Sequence, residues 1–253
     1  MLTPVLEGQY LRLLWSADRP GSRLYVTFDH WTRGRAGFEP PPRDTFFDRR
    51  GWPVLRVQTS RNDWFLNPDL EAALDTVAAL ASDYDSTVTY GFSMGGYGAL
   101  RFANAAGAVR AVVISPQASP LPSRAPFERR WWQDRQMCDP ALDDLSHLSD
   151  PEAPDVVAVH DPFQTADRLH VALLRANCAR LFALPLPFGG HPATQTILEG
   201  DRLGAFAAAT LNDPLDRAAL LAPHKRARRK AGTYADGLAR AREKRAGRAA
   251  VAR

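Results

Sequence analysis

The chain of 253 residues is long enough to bury a full core and suits one large α/β domain at least as well as two small ones. Its two cysteines, Cys138 and Cys178, stand far apart without a Cys-x-x-Cys or Cys/His cluster, which argues against a zinc site and a disulfide scaffold. The net charge of +4 is uneven: from Pro223 onward 11 Lys/Arg face only Asp236 and Glu243, whereas the first 222 residues carry 21 basic and 26 acidic side chains. No stretch approaches membrane-spanning length, and Met1–Gly8 lacks the basic and apolar regions of a signal peptide, so a cytoplasmic protein is expected.

Gln9–Trp15 alternates loosely and reads as an edge strand, Asp18–Gly21 as a turn, and Arg23–Phe28 as a second, more apolar strand. Asp29, His30 and Trp31 follow its end, where loops of open α/β sheets hold ligands. Arg33–Arg50 is irregular, Trp52–Gln58 returns as a strand, and Asn62–Trp64 lies in the loop beyond it. Asn67 then caps a helix with Pro68 at its first position, and Leu70, Ala73, Leu74, Val77 and Leu80 share one face.

Thr87–Gly91 is a strand, and the run Gly91-Phe92-Ser93-Met94-Gly95 turns sharply into a helical segment over 99–106. Small residues on both sides of Ser93 let the backbone bend without a Cβ collision, so that the hydroxyl projects above the sheet edge. The Met94 amide at the helix N-terminus is then a candidate oxyanion donor, and a backbone amide near His30 is the candidate for the second.

Val109–Ile114 is a buried strand, and the alternation of strand and helix implies a parallel sheet with right-handed crossovers. Residues 117–154 break that alternation and form a small cap. In it Trp131 and Trp132, with Trp31 from the body, are candidate substrate contacts, and Arg124, Arg129, Arg130 and Arg135 are candidate partners for an anionic substrate. The alternative is that the tryptophans pack the cap onto the body and the arginines are solvated. Val156–His160 is the next strand, 166–179 a helix, Arg180–Leu184 the last strand, and 193–200 and 201–212 close the body. A domain boundary is expected at Ala222-Pro223. Residues 223–253 then form a basic tail, helical or disordered, whose charges are either a solvated face or a contact for an anionic partner.

A serine hydroxyl needs an imidazole to take its proton and a carboxylate to orient that imidazole. Ser93, Asp161 and His191 each follow an apolar strand, in the chain order Ser, Asp, His. Of the six histidines, His170 lies in a helix, His147 in the cap, His224 in the tail, His160 within a strand, and His30 before the serine. His191 has a preceding strand, a flexible Gly189-Gly190 approach and Pro192 behind it.

Gly91-Phe-Ser-Met-Gly-Gly-Tyr-Gly-Ala-Leu100 and Phe188-Gly-Gly-His191 resemble the serine turn and histidine loop of the α/β-hydrolase superfamily, from about Arg23 to about Leu211. The resemblance implies a mostly parallel sheet of six to seven strands flanked by helices, with a small cap. It also implies a Ser93/His191/Asp161 triad, a covalent acyl-enzyme, and neither metal nor organic cofactor. The expected activity is serine hydrolysis of a carboxylic ester or thioester, a small-molecule acyl substrate. The alternatives are an acyltransferase with the same triad and a non-catalytic assembly protein that contacts its partner through the basic tail. One departure is the sequence Asp29-His30-Trp31 where the superfamily carries a His-Gly motif, which leaves the second oxyanion donor open.

Overall fold

The computed structural model describes residues 2–16, 18–43 and 45–251, the last four as backbone only. Among these residues eight strands form one sheet: β1 (Thr3–Glu7), β2 (Leu11–Trp15), β3 (Arg23–Phe28), β4 (Val54–Thr59), β5 (Ser86–Phe92), β6 (Ala108–Ile114), β7 (Asp155–His160) and β8 (Leu181–Pro185). Their spatial order is β1-β2-β4-β3-β5-β6-β7-β8, with β1 and β2 antiparallel and β3 to β8 parallel. The parallel part matches the expected alternation of strand and helix. The additional strand is β1, an outer edge whose pairing shifts register between Pro4 and Leu6. A proline is tolerated at an edge because no ladder bond is needed from it, and the same proline hides the strand from pattern reading.

The period of two along the central strands builds both cores. Ala111, Val113, Val156 and Ala158 join Leu13, Val26, Val57 and Tyr97 on one face. Val112, Ile114, Val157 and Val159 join Tyr25, Tyr90, Ile197 and Phe206 on the other. A sheet covered on both sides needs the near-continuous apolar runs that β6 and β7 carry.

Among the described residues seven α-helices flank the sheet: α1 (Leu70–Ala81), α2 (Met94–Arg101), α3 (Thr165–Asn177), α4 (Gln195–Glu199), α5 (Leu203–Thr210), α6 (Arg217–Ala227) and α7 (Gly232–Val251). In α1 the buried residues are Leu70, Ala73, Val77 and Ala81, which follows the 3.6-residue period. The helix starts later than the Asn67 cap implies, because Asn67 Oδ1 instead accepts the Asp69 amide at 3.1 Å in a turn. The Asp69 carboxylate accepts the Tyr10 and Leu11 amides at 2.5 and 3.0 Å, tying α1 to the β1–β2 hairpin.

The helix after Ser93 begins at Met94, not at Ala99, so Gly95, Gly96 and Gly98 lie inside it. They serve close approach: a Cβ on Gly98 would stand 2.6 Å from the Phe65 ring, and one on Gly95 2.7 Å from the Asp29 carbonyl. The start of α2 is thereby pressed against the end of β3.

Residues 117–154 hold three short 3-10 turns, at Asp134–Met137, Pro140–Leu142 and Ser146–Ser149. They are fastened to the body where the buried Asp143 carboxylate accepts the Tyr97 hydroxyl at 2.6 Å, while its other oxygen accepts the hydroxyl of Ser119 from the same segment at 2.6 Å. The expected boundary at 222/223 falls inside α6, which continues through Pro223. Pro223, His224, Ala227 and Ala231 are buried. The composition shift marks where charge accumulates on outward positions, while a small apolar stripe still packs inward. No helix among the described residues is long and apolar enough to cross a membrane.

Candidate active site

Ser93 sits between β5 and α2 with φ 51° and ψ −117°, a conformation L residues avoid. It is enforced from below: a Cβ on Gly91 would stand 1.9 Å from the Gly95 carbonyl, so the chain can fold back on itself only at glycine. The Ser93 amide donates to the Ile114 carbonyl at 2.8 Å, which fixes the turn to β6.

Ser93 Oγ lies 3.0 Å from His191 Nε2. His191 Nδ1 lies 2.7 Å from Asp167 Oδ2. An ionised carboxylate only accepts, so Nδ1 carries the ring proton and Nε2 is left with the lone pair that faces the serine hydroxyl. An arrangement of this kind lets an imidazole take a hydroxyl proton and return it to a leaving group.

The carboxylate on His191 is therefore Asp167 and not Asp161. Asp161 accepts main-chain amides instead, from Phe163 at 2.9 Å and Phe188 at 3.1 Å on Oδ1, and from Gly190 at 3.1 Å on Oδ2. Its position at the end of β7 lets it shape the histidine loop, and that engagement uses up the reach that would carry it to the ring. Six residues later the first turn of α3 brings Asp167 to the Nδ1 side. The two carboxyls also differ electrostatically. Burial pushes Asp161 above the ordinary carboxylate range despite its amide bonds. Burial acts on Asp167 in the same sense, but the His191 hydrogen bond and the charges of His191 and Arg130 outweigh it and hold Asp167 below that range.

The histidine loop is anchored from several directions. The Ala193 amide donates to buried Ser115 Oγ at 2.9 Å, Thr196 Oγ1 donates to the Phe188 carbonyl at 2.8 Å, and His224 Nε2 donates to the Pro187 carbonyl at 3.1 Å. A Cβ on Gly237 of α7 would stand 2.9 Å from Phe188, so the start of the basic tail packs on this loop.

His224 is nearly fully buried. Burial, then the charge of Arg228, bring its pKa from the ordinary 6.5 down to about 4, against the opposing Pro187 bond. The unfolded chain takes up a proton through that window which the folded chain refuses, so this contribution is complete above pH 6.5 and lost as the pH falls toward 4. Burial pushes His147 and His160 in the same direction. The unfolding free energy from urea titration is expected to fall by about 1–2 kcal/mol from His224 alone between pH 7 and 5. His224→Gln, which can still donate to Pro187, is expected to flatten that part of the slope.

Met94, the first residue of α2, directs its amide from the helix start beside Ser93. The facing segment after β3 is held by buried Arg35, which donates to the His30 carbonyl at 2.7 Å, Asp29 Oδ2 at 3.0 Å and the Thr59 carbonyl at 2.7 Å. Asn62 completes the clamp: its Oδ1 accepts the Thr32 amide at 3.2 Å and its Nδ2 donates to the Thr32 carbonyl at 2.8 Å. The main chain around His30 is thus fixed without a His-Gly motif. Neither Arg35 nor Asn62 stands out in the sequence, because each acts through main-chain groups that no pattern of residue types marks.

Of the candidate substrate contacts, Trp131 has its ring 5.6 Å from that of His191 and 5.8 Å from that of Trp31. Trp31 Nε1 donates to Asp134 Oδ2 at 2.7 Å. Trp132 is 61% exposed and stands outside this cluster. The cap arginines divide. Arg135 is buried and donates to the Pro120 and Glu128 carbonyls, so it is structural. Arg124 lies 3.5 Å from Asp143, Arg129 is exposed, and Arg130 Nη2 donates to Asp167 Oδ1 at 2.9 Å and to Glu128 Oε2 at 2.6 Å.

No protein-family model and no curated protein matches the chain. Among solved structures it is similar to a capsule O-acetyltransferase of Neisseria meningitidis serogroup A in complex with CoA. The identity is 12%, the match covers 74% of this chain and 86% of that one, and the TM-score is 0.50. It is similar to a glycosylation-associated protein (Gap123) complex from Streptococcus agalactiae at 13% identity, over 85% of this chain and 47% of that one, with a TM-score of 0.53. It also matches a Pyrococcus furiosus esterase at 13% identity, over 81% of this chain and 90% of that one, with a TM-score of 0.45. The sheet order and the turn at Ser93 decide the architecture. The fold is α/β-hydrolase-like. In this hydrolase-like fold the serine turn, the end of β3, the first turn of α3 and the loop after β8 meet at one rim of the sheet, as open α/β sheets place their ligand crevices. Asp167 and Glu128 are the neighbours of this contact that pattern reading missed, and Arg130, expected to meet an anionic substrate, is engaged with both of them. The one available signal was weak: a second Asp close behind the strand that ends at His160.

Proposed function

We propose that this chain is a serine-dependent acyl-transfer enzyme that cleaves a carboxylic ester or thioester through Ser93, His191 and Asp167. The observation that carries the reading is the continuous contact of hydroxyl, imidazole and buried carboxylate, 3.0 and 2.7 Å long. His191 Nε2 takes the Ser93 proton as Oγ adds to the acyl carbonyl, and Asp167 keeps the ring aimed and stabilises the imidazolium. The Met94 amide and a main-chain amide near His30 receive the oxyanion. The imidazolium then protonates the departing alcohol or thiol, and the acyl group stays on Oγ. In the second half the same imidazole deprotonates the incoming nucleophile, and collapse of the second tetrahedral intermediate restores Ser93.

Whether that nucleophile is water or a hydroxyl of a second substrate separates hydrolase from acyltransferase. The likeness to a capsule O-acetyltransferase supports the second reading. The test is a panel of p-nitrophenyl and thioester substrates of graded acyl length, assayed with and without added sugar or simple alcohols, with products resolved by mass. Hydrolysis that proceeds while no acceptor becomes acylated establishes the hydrolase; acylated acceptor forming faster than free acid establishes the transferase. No acyl release from any substrate, with Ser93 unlabelled by a fluorophosphonate, overturns both.

A further inference from the structure

Arg130 reaches His191 from behind, on a segment that lies outside the alternating strands and helices. The Asp167 carboxylate is 1% exposed. Its Oδ2 is used by His191 Nδ1 at 2.7 Å, and its Oδ1 is filled by Arg130 Nη2 at 2.9 Å. Arg130 Nη1 also lies 3.3 Å from His191 Nδ1. That nitrogen already donates to Asp167, so this contact is a cation beside the ring and not a hydrogen bond.

A lone guanidinium there would oppose the imidazolium that forms on proton transfer. Glu128 removes that conflict. Its Oε1 accepts Arg130 Nε at 3.0 Å and the Arg130 amide at 2.8 Å, and its Oε2 accepts Arg130 Nη2 at 2.6 Å. The Glu128, Arg130 and Asp167 charges sum to a single negative charge behind the ring, the same as a carboxylate alone, but with both Asp167 oxygens tied down. Glu128 is fixed in turn by His170, which is fully buried. His170 Nδ1 accepts the Ala118 amide at 3.1 Å, so Nε2 carries the proton and donates to Glu128 Oε2 at 3.1 Å. The next residue, Trp131, stands at φ 53° with its ring 4.5 Å from the Arg130 guanidinium.

We infer that Arg130, backed by Glu128 and His170, is a positioning residue supplied by the 117–154 segment, which aims Asp167 and so sets the rate of acyl transfer at Ser93. This rests on the reading of Ser93, His191 and Asp167 given above. It makes the seating of the cap a condition for an aligned catalytic base, whatever the cap does for substrate binding.

The test uses the full chain and a fluorophosphonate whose reaction with Ser93 is followed by intact mass, separating reagent affinity from the inactivation rate constant. Arg130→Ala is expected to slow inactivation on the order of 10²-fold with affinity little changed, the cost of a misaimed catalytic group. Added guanidinium ion at millimolar concentration is expected to restore part of the rate, and Arg130→Lys to fall between the two. The far-downfield proton resonance of the His191–Asp167 bond is expected to shift or broaden in both variants. A folded Arg130→Ala protein that reacts at the wild-type rate, or that loses only affinity, overturns the inference. Should Arg130→Ala not fold, an Arg130→Lys protein with unchanged rate and unchanged resonance overturns it equally. Wild-type protein that is not labelled at Ser93 overturns the triad itself, and the inference with it.

Discussion

Ser93→Ala is expected to abolish fluorophosphonate labelling and to lower ester turnover by roughly 10⁴–10⁶-fold, leaving the fold intact. Only the hydroxyl that faces His191 Nε2 is removed, while the amides beside it and the histidine loop keep their anchors. The backbone at this position offers an independent check. At φ 51° and ψ −117° any residue with a Cβ is strained, so Ser93→Ala should melt near the wild-type temperature. Ser93→Gly should be equally inactive yet more stable by up to about 1 kcal/mol. Calorimetry beside intact-mass labelling measures both. Labelling that persists in folded Ser93→Ala protein would remove Ser93 from the chemistry.

Asp167→Asn should reduce kcat by about 10⁴-fold with little change in KM, because the amide no longer enforces the tautomer that leaves Nε2 free to accept. It also leaves only the Glu128–Arg130 pair, neutral in sum, behind the ring, and so removes the net negative charge that would stabilise an imidazolium. Asp161→Asn should behave differently. Its amide nitrogen cannot accept, so at least one of the main-chain N–H groups of Phe163, Phe188 and Gly190 loses its partner, at a cost of about 1–3 kcal/mol in stability. Its effect on turnover should be the smaller one. Steady-state kinetics and urea titration on the pair separate a carboxylate that serves the ring from one that serves the loop. If Asp161→Asn abolished turnover at unchanged stability while Asp167→Asn stayed active, the assignment would be reversed.

Serine and histidine were legible for the same reason. Each follows an apolar strand and is flanked by glycines that only a sharp turn or a close approach requires, and both constraints are local to the backbone. The carboxylate that meets His191 was not legible. A carboxylate at a strand end and another six residues on satisfy the same chain order. The choice between them was made by the direction of the first turn of α3 and by which amides had already claimed Asp161. Edge strand β1 was hidden by Pro4, and the start of α2 by glycines that are normally read as loop. The cap arginines illustrate the limit of composition. Four similar side chains became one buried backbone donor, one partner of Asp143, one exposed charge and one ligand of Asp167.

By itself the sequence determined the parallel sheet with helices on both faces, because apolar runs of period two and 3.6 can be buried in few other ways. It also determined the strained serine turn, because without Cβ atoms at 91 and 95 the chain can cross itself there and nowhere else nearby. Only the tertiary structure decided which carboxylate meets His191, that Arg130 from the cap stands behind it, and that the basic tail begins as part of the body. Those outcomes depend on distances between segments far apart in the chain, set by packing and by competition for hydrogen-bond partners, and no local pattern encodes them.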